Sequence, residues 1–211
     1  MPHLGTQRVM VPGVQVSNLT AGNIPLAGAK SAFDTGGPYG AFEPLAVVTV
    51  GSGGASSISF QGIPATYKHL QLRGILKDQR GTGVLSNAYM QFNQDREANY
   101  ANHNMYGDGG GGNAASESQT SMGSMLFANI ASGTTNTGMF AAFISDILDY
   151  SSFAKYKTVR TLNGADNSGG GQATIKSGVW MNSSSQISSI TITPLVANFV
   201  EFSQVALYGV K

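Results

Sequence analysis

Apolar and polar positions alternate in short runs along much of the chain. In "KHLQLRGIL" (68–76) Leu70 and Leu72 fall on one side and His69, Gln71 and Arg73 on the other, the period of two that a half-buried strand requires. Upstream, "LAVVTV" (45–50) is β-branched and apolar, "GSGGAS" (51–56) carries turn chemistry, and "SISF" (57–60) alternates Ile58 and Phe60 with serines. Together the three predict a hairpin. Pro64 ends one strand, and the next starts at about Lys68.

Further strands are predicted at "NAYMQFN" (87–93), "MFAAFISDIL" (139–148), "KYKTVRTLNG" (155–164), "ATIKSGVWMN" (173–182), "ISSITITPL" (187–195) and "FVEFSQVALYGV" (199–210). Glycine- or serine-rich loops separate them, notably "GDGGGG" (107–112) and "NSGGGQ" (167–172). Helical periodicity is weak throughout. Its best instances, "DREANYANHNMY" (95–106) and "SMGSMLFANI" (121–130), read as short turns or loop segments, and 95–137 as a loop too long for a plain turn.

Short strands with frequent turns predict an all-β fold: a jelly-roll-like antiparallel β-sandwich over residues 45–211 with an extended N-terminal arm over 1–44. The arm holds Pro2, Pro12, Pro25, Pro38 and Pro44 and many glycines, which remove backbone donors and raise chain entropy. Such a segment is expected to order on another subunit. Leu70, Leu72 and Ile75 are expected on one inner face and Ile190 and Ile192 on the other. The last strand closes the sandwich with either Val205 and Leu207 or Ala206 and Tyr208, and Tyr67 is expected to pack at the sandwich end.

Composition sharpens the picture. Charged residues are 11% of the 211, while 28 are glycine, so the surface must be rich in hydroxyl and amide groups rather than ions. Low repulsion of this kind suits a protein packed among neighbours. A formal charge of +1 without a basic run gives no phosphate-binding footprint, so no nucleic-acid partner is expected. The chain has no cysteine, hence no disulfide and no thiolate chemistry. No run of 18 apolar residues and no secretion-signal pattern occur, so no membrane partner is expected and synthesis is expected in a cytoplasm.

Candidate chemistry is sparse. The three histidines are His3 in the arm, His69 on a strand, where it reads as exposed, and His103 in the long segment, where it reads as a binding or interface residue. Asp95 with Glu97, Asp146 with Asp149, and Glu201 are the carboxylates of the kind a glycosidase uses, but each reads more simply as a solvated acid. Neither "DGGGGN" nor "GADNSGGG" has the spacing of a calcium loop, and no glycine-rich loop leads into a phosphate-binding helix. No catalytic residue, metal or cofactor is therefore expected. Trp180, Tyr100 and Tyr106, beside amide and hydroxyl groups, make with His103 the candidate contact set for carbohydrate or a partner.

"VTVGSGGASSISFQGIPATYKHLQLRG" (48–74), "LNG" (162–164), "ISSITI" (187–192) and the closing "FSQVALYGVK" (202–211) together resemble β-sandwich virion proteins of tailed, marine-type bacteriophages. The resemblance implies a non-enzymatic structural part of the particle, residing in the virion after synthesis in the host cytoplasm. Its partners would be other capsid or tail subunits, met through the arm and the sandwich edges, and further copies of itself, with a trimer as the natural symmetry. A short chain with an assembly arm favours a capsid decoration or cement role. The alternative is a tail, fibre or adaptor module that binds host-surface carbohydrate.

Overall fold

Alternation along each strand decides which side chains turn inward, and the computed structural model, which describes residues 41–109 and 114–211, shows what those sides meet. One sheet has eight strands in the order β1 (Phe42–Thr49), β12 (Gln204–Val210), β3 (His69–Leu76), β8 (Ala141–Leu148), β9 (Lys157–Asp166), β10 (Gly171–Trp180), β5 (Tyr100–Gly107) and β6 (Ala114–Met122). The other has four, in the order β2 (Ile58–Phe60), β11 (Ile190–Pro194), β4 (Leu85–Phe92) and β7 (Met125–Ala131). Every neighbouring pair of strands is antiparallel. The fold is an antiparallel β-sandwich, and no helix occurs among the described residues.

The core lies between the sheets. Leu70, Leu72, Ile147, Val159, Val205 and Leu207 enter it from the large sheet, and Ile58, Phe60, Met90, Phe92, Ile190 and Ile192 from the small one. Each fully buried side chain of this size contributes about 1.5–3 kcal/mol of transfer free energy. The register of the last strand is settled by Val205 and Leu207, which turn inward and leave Ala206 and Tyr208 outward. Ile75 departs from expectation: with Leu70 and Leu72 inside, a period of two sends it out, and Leu76 is the buried neighbour. Gly74, between Leu72 and Leu76, sits so close to the Gln204 carbonyl and the Phe143 ring that no Cβ fits there.

Three expectations are corrected. Residues 45–60 do not form a hairpin, because β1 pairs with β12 and β2 with β11, so the chain changes sheets through Gly51–Ser57. Gly53 and Gly54, at φ of 96° and 79°, make that crossing in a backbone region that side chains with a Cβ avoid. Segment 95–137 is not a long loop, since it supplies β5, β6 and β7. β7 is buried on nearly every side chain and so shows no alternation, while β5 turns asparagines inward where apolar residues are usual. Finally, β1 starts at Phe42, so residues 42–44 belong to the sheet; residues 1–40 of the predicted arm lie outside the described residues.

The inward asparagines have a structural reason. β7 is an edge strand of the small sheet, with one side facing β5, β9 and β10 of the large one. Asn102 Oδ1 accepts from the Leu126 amide at 3.3 Å, Asn163 Oδ1 accepts from the Asn129 amide at 3.4 Å, and Asn163 Nδ2 donates to the Asn129 carbonyl at 2.9 Å. Side chains thus satisfy backbone groups that a further strand would otherwise have paired.

Candidate functional site

The four residues singled out by sequence do not converge on one surface. Trp180 and Tyr100 face each other across the β10–β5 ladder and are both buried, with ring centroids 6.5 Å apart and Phe92 5.6 Å from the indole. Their positions follow from strand parity: Tyr100 shares its face with Asn102 and Asn104, and Trp180 with Gly178 and Lys176. The rings therefore fill one end of the sandwich and offer no face to a sugar. His103 lies exposed on the outer side of β5, whereas Tyr106, of opposite parity, belongs with Tyr100.

Polar groups close the aromatic cluster. Trp180 Nε1 donates to Asp95 Oδ2 at 2.7 Å, and the Phe92 amide donates to the Tyr100 hydroxyl at 2.9 Å. Burial pushes the Asp95 carboxyl up, but donors from Asn99, Trp180 and the Glu97 amide outweigh it and hold the group below the ordinary carboxylate value. Burial raises the Tyr100 hydroxyl, and it lowers the Lys157 ammonium, which lies 5.4 Å over the indole and donates to the Asn182 carbonyl at 2.8 Å. Asp95 is thus a structural acceptor.

Two of the other acids considered from sequence are also engaged. Asp146 accepts from Gln71 Nε2 at 2.6 Å and pairs with Arg160 at 3.0 Å. Asp149 pairs with Lys155 at 2.8 Å, and that bond, with the neighbouring positive charges, holds its carboxyl below the usual range. Among the described residues no group of three or more His, Cys, Asp or Glu side chains gathers as metal ligands, and no helix is long and apolar enough to cross a membrane.

What the structure does build is the outer face of the eight-stranded sheet. Cross-strand register places Met105 opposite Ile175, Ile175 opposite Leu162, Leu162 opposite Ile144, Ile144 opposite Arg73, Arg73 opposite Ala206, and Ala206 opposite Val47. This row crosses seven strands, and its large apolar members are open to solvent: Val47 57%, Leu162 56%, Met105 53%, Ile175 50% and Ile144 36% exposed. Scattered exposed apolar residues are ordinary on a monomer, but the four that adjoin without a break, Ile144, Leu162, Ile175 and Met105, with Arg73 and Ala206 between them and Val47, mark a contact surface.

A polar row runs alongside. Gln71 stands opposite Asp146, Asp146 opposite Arg160, Arg160 opposite Ser177, and Ser177 opposite His103. Arg73 Nε donates to Gln71 Oε1 at 2.5 Å, and its guanidinium lies 4.8 Å from the Phe42 ring and 4.9 Å from the Tyr208 ring. These contacts fix the charged side chain flat on the sheet. On the far side of the apolar row Ala142, Gly164, Ala173 and Gly107 follow one another across the sheet, and the missing side-chain bulk leaves a shallow trough of about 820 Å3 beside Asp108 and Asp166.

Comparisons with protein-family models, curated proteins and solved structures each find no match.

The outer row was missed in the sequence although a signal for it was present. "FAAFISDIL" and "KTVRTLNG" each carry large apolar residues at both parities: Phe143 and Ile147 against Ile144, and Val159 against Leu162. A strand wetted on one face has no need of the second set.

Proposed function

We propose that this chain is a non-enzymatic structural protein of a bacteriophage virion, of the capsid decoration or cement type, that holds its neighbours by burying the outer face of its eight-stranded sheet. The observation that carries the reading is the unbroken, solvent-open apolar line Ile144, Leu162, Ile175 and Met105 on a chain otherwise so poor in charge. Burial of such a row contributes about 25 cal/mol per Å2 of apolar surface, and its flat, wide shape suits a protein surface better than a small substrate. The resemblance of residues 48–74 to phage β-sandwich proteins supplies the setting. The engaged states of Asp95, Asp146 and Asp149 support a binding role over acid–base catalysis. With Trp180 and Tyr100 interior, no observation favours the carbohydrate-binding alternative.

The test is the copy number of this chain in purified particles, measured by quantitative mass spectrometry against the major shell protein. Hundreds of copies are expected. A few to a few tens would move the protein to the tail or fibres, and absence from the particle would overturn the proposal.

A further inference from the structure

We propose that the partner of the outer face is a second copy of this chain, related by a two-fold axis that runs parallel to the strands between β8 and β9. The inference rests on the assembly reading above and names the partner that reading leaves open.

The strand order puts four strands on each side of the β8–β9 boundary, so this axis bisects the sheet. A two-fold in that position reverses the strand order and keeps each cross-strand row at its own level. β8 then lies over the partner's β9, β3 over the partner's β10, and β12 over the partner's β5. Isologous contact of this kind requires a face that complements its own reversed image.

The outer face meets that requirement at three levels. In the apolar row Ile144 lies against the partner's Leu162, the long Met105 side chain lies over the partner's small Ala206, and Arg73, held flat between the Phe42 and Tyr208 rings, lies over the partner's Ile175. In the polar row Asp146 meets the partner's Arg160. Within one copy these two already pair at 3.0 Å, so the two copies bring four alternating charges together at the axis. In the trough row Ala142 meets the partner's Gly164, small against small, which lets the backbones approach closely. A different protein as partner would place no such demand on residues of the same face.

The size of the face is also sufficient. The six strands from β12 to β5, at about 4.8 Å each, and seven residues at about 3.4 Å each span about 29 by 24 Å, or about 700 Å2. Standard specific interfaces bury about 600–1,000 Å2 per partner. Sheet twist sets aligned sheets about 30° apart and so concentrates the contact near the axis, where Ile144, Asp146, Arg160 and Leu162 lie.

The experiment is sedimentation velocity with light scattering on the full chain over a wide concentration range, with thermal melts to confirm folding. The wild type is expected to be a reversible dimer. Leu162→Glu, which sets two carboxylates against an apolar row, is expected to be a monomer. Arg160→Asp places like charges opposite each other and should weaken the dimer about tenfold or more, and the double swap Asp146→Arg with Arg160→Asp should restore it. The swap keeps the proposal testable if Leu162→Glu fails to fold. A monomeric wild type, a trimer, a dimer indifferent to both single changes, or a double swap that does not recover would overturn the inference. A dimer missing from particles would leave the two-fold standing and remove the virion reading, whereas a monomer present in particles would do the reverse.

Discussion

Trp180 donates its indole N–H to Asp95 at 2.7 Å across 85 residues of sequence, and this bond fastens the turn after β4 to the end of β10. Trp180→Phe keeps most of the ring volume and removes the donor. A hydrogen bond to a charged group is worth about 1.5–3 kcal/mol, so a loss of about that size is expected in chemical denaturation. Because the folded carboxyl sits below its unfolded value, its stabilisation is present above the ordinary carboxylate pKa and is lost as pH falls through the folded one. The gap between wild type and Trp180→Phe should therefore narrow in acid. A gap independent of pH would mean that Asp95 is not the group held by the indole.

Lys176 is buried on the inner face of β10, opposite Thr161 and Asn104, and its ammonium finds no hydrogen-bond partner. Burial brings it down to about 8, with nearby Glu117 opposing the shift. Since the unfolded chain holds this proton to higher pH, the site costs stability below about 8, and the cost is relieved as pH rises from there toward the free-lysine value. Lys176→Met should raise stability at pH 7 by about 1–3 kcal/mol and flatten the alkaline rise. Melting curves across pH 6–10 check both points.

Gly178 leaves room for Met125, whose sulfur occupies the space that a Cβ would take. Gly178→Ala should cost about 1–3 kcal/mol through overpacking of the buried methionine. Met125→Ala should open the space again, so the double variant should be more stable than the sum of the single losses implies. A fully additive double-mutant cycle would place the strain elsewhere.

Arg73 lies between the Phe42 and Tyr208 rings at the β1 edge of the large sheet. Arg73→Ala removes two exposed cation–π contacts, worth about 0.5–1 kcal/mol each, and frees Gln71 from one donor. Faster amide exchange confined to β1 is the expected result, read by hydrogen-exchange mass spectrometry. Unchanged β1 protection would assign the rings no part in holding the edge.

Strands that follow a simple alternation were legible from the sequence. Leu70 and Leu72 in β3, and Ile190 and Ile192 in β11, turn inward as the period of two dictates, because one side of each strand meets the core. β7 and β5 were not, and for opposite physical reasons. β7 lies between a strand partner and the large sheet and buries nearly everything, while β5 turns Asn102 and Asn104 inward, Asn102 accepting from the β7 backbone and Asn104 donating to Glu117 of β6. The candidate site was less legible still. Trp180 and Tyr100 look like surface aromatics beside serine and asparagine, yet both rings turn inward, and their N–H and O–H groups are taken by the Asp95 carboxylate and by the Phe92 and Asp95 carbonyls. The row from Val47 to Met105 is signalled locally only in β8 and β9, where apolar residues occupy both parities; its members come from seven strands and become neighbours only through register.

The central claim, that the outer face of the large sheet is a contact surface, is tested most directly by the peroxide oxidation rate of Met105. Its side chain is half exposed in the single chain, and Met181, just beyond β10, is partly exposed and provides the internal reference. In concentrated full-length protein and in assembled material, Met105 should be strongly protected relative to Met181, with protection lost on dilution. Met105 oxidising as fast as Met181 in the assembled state would show the face to be open and would contradict the account.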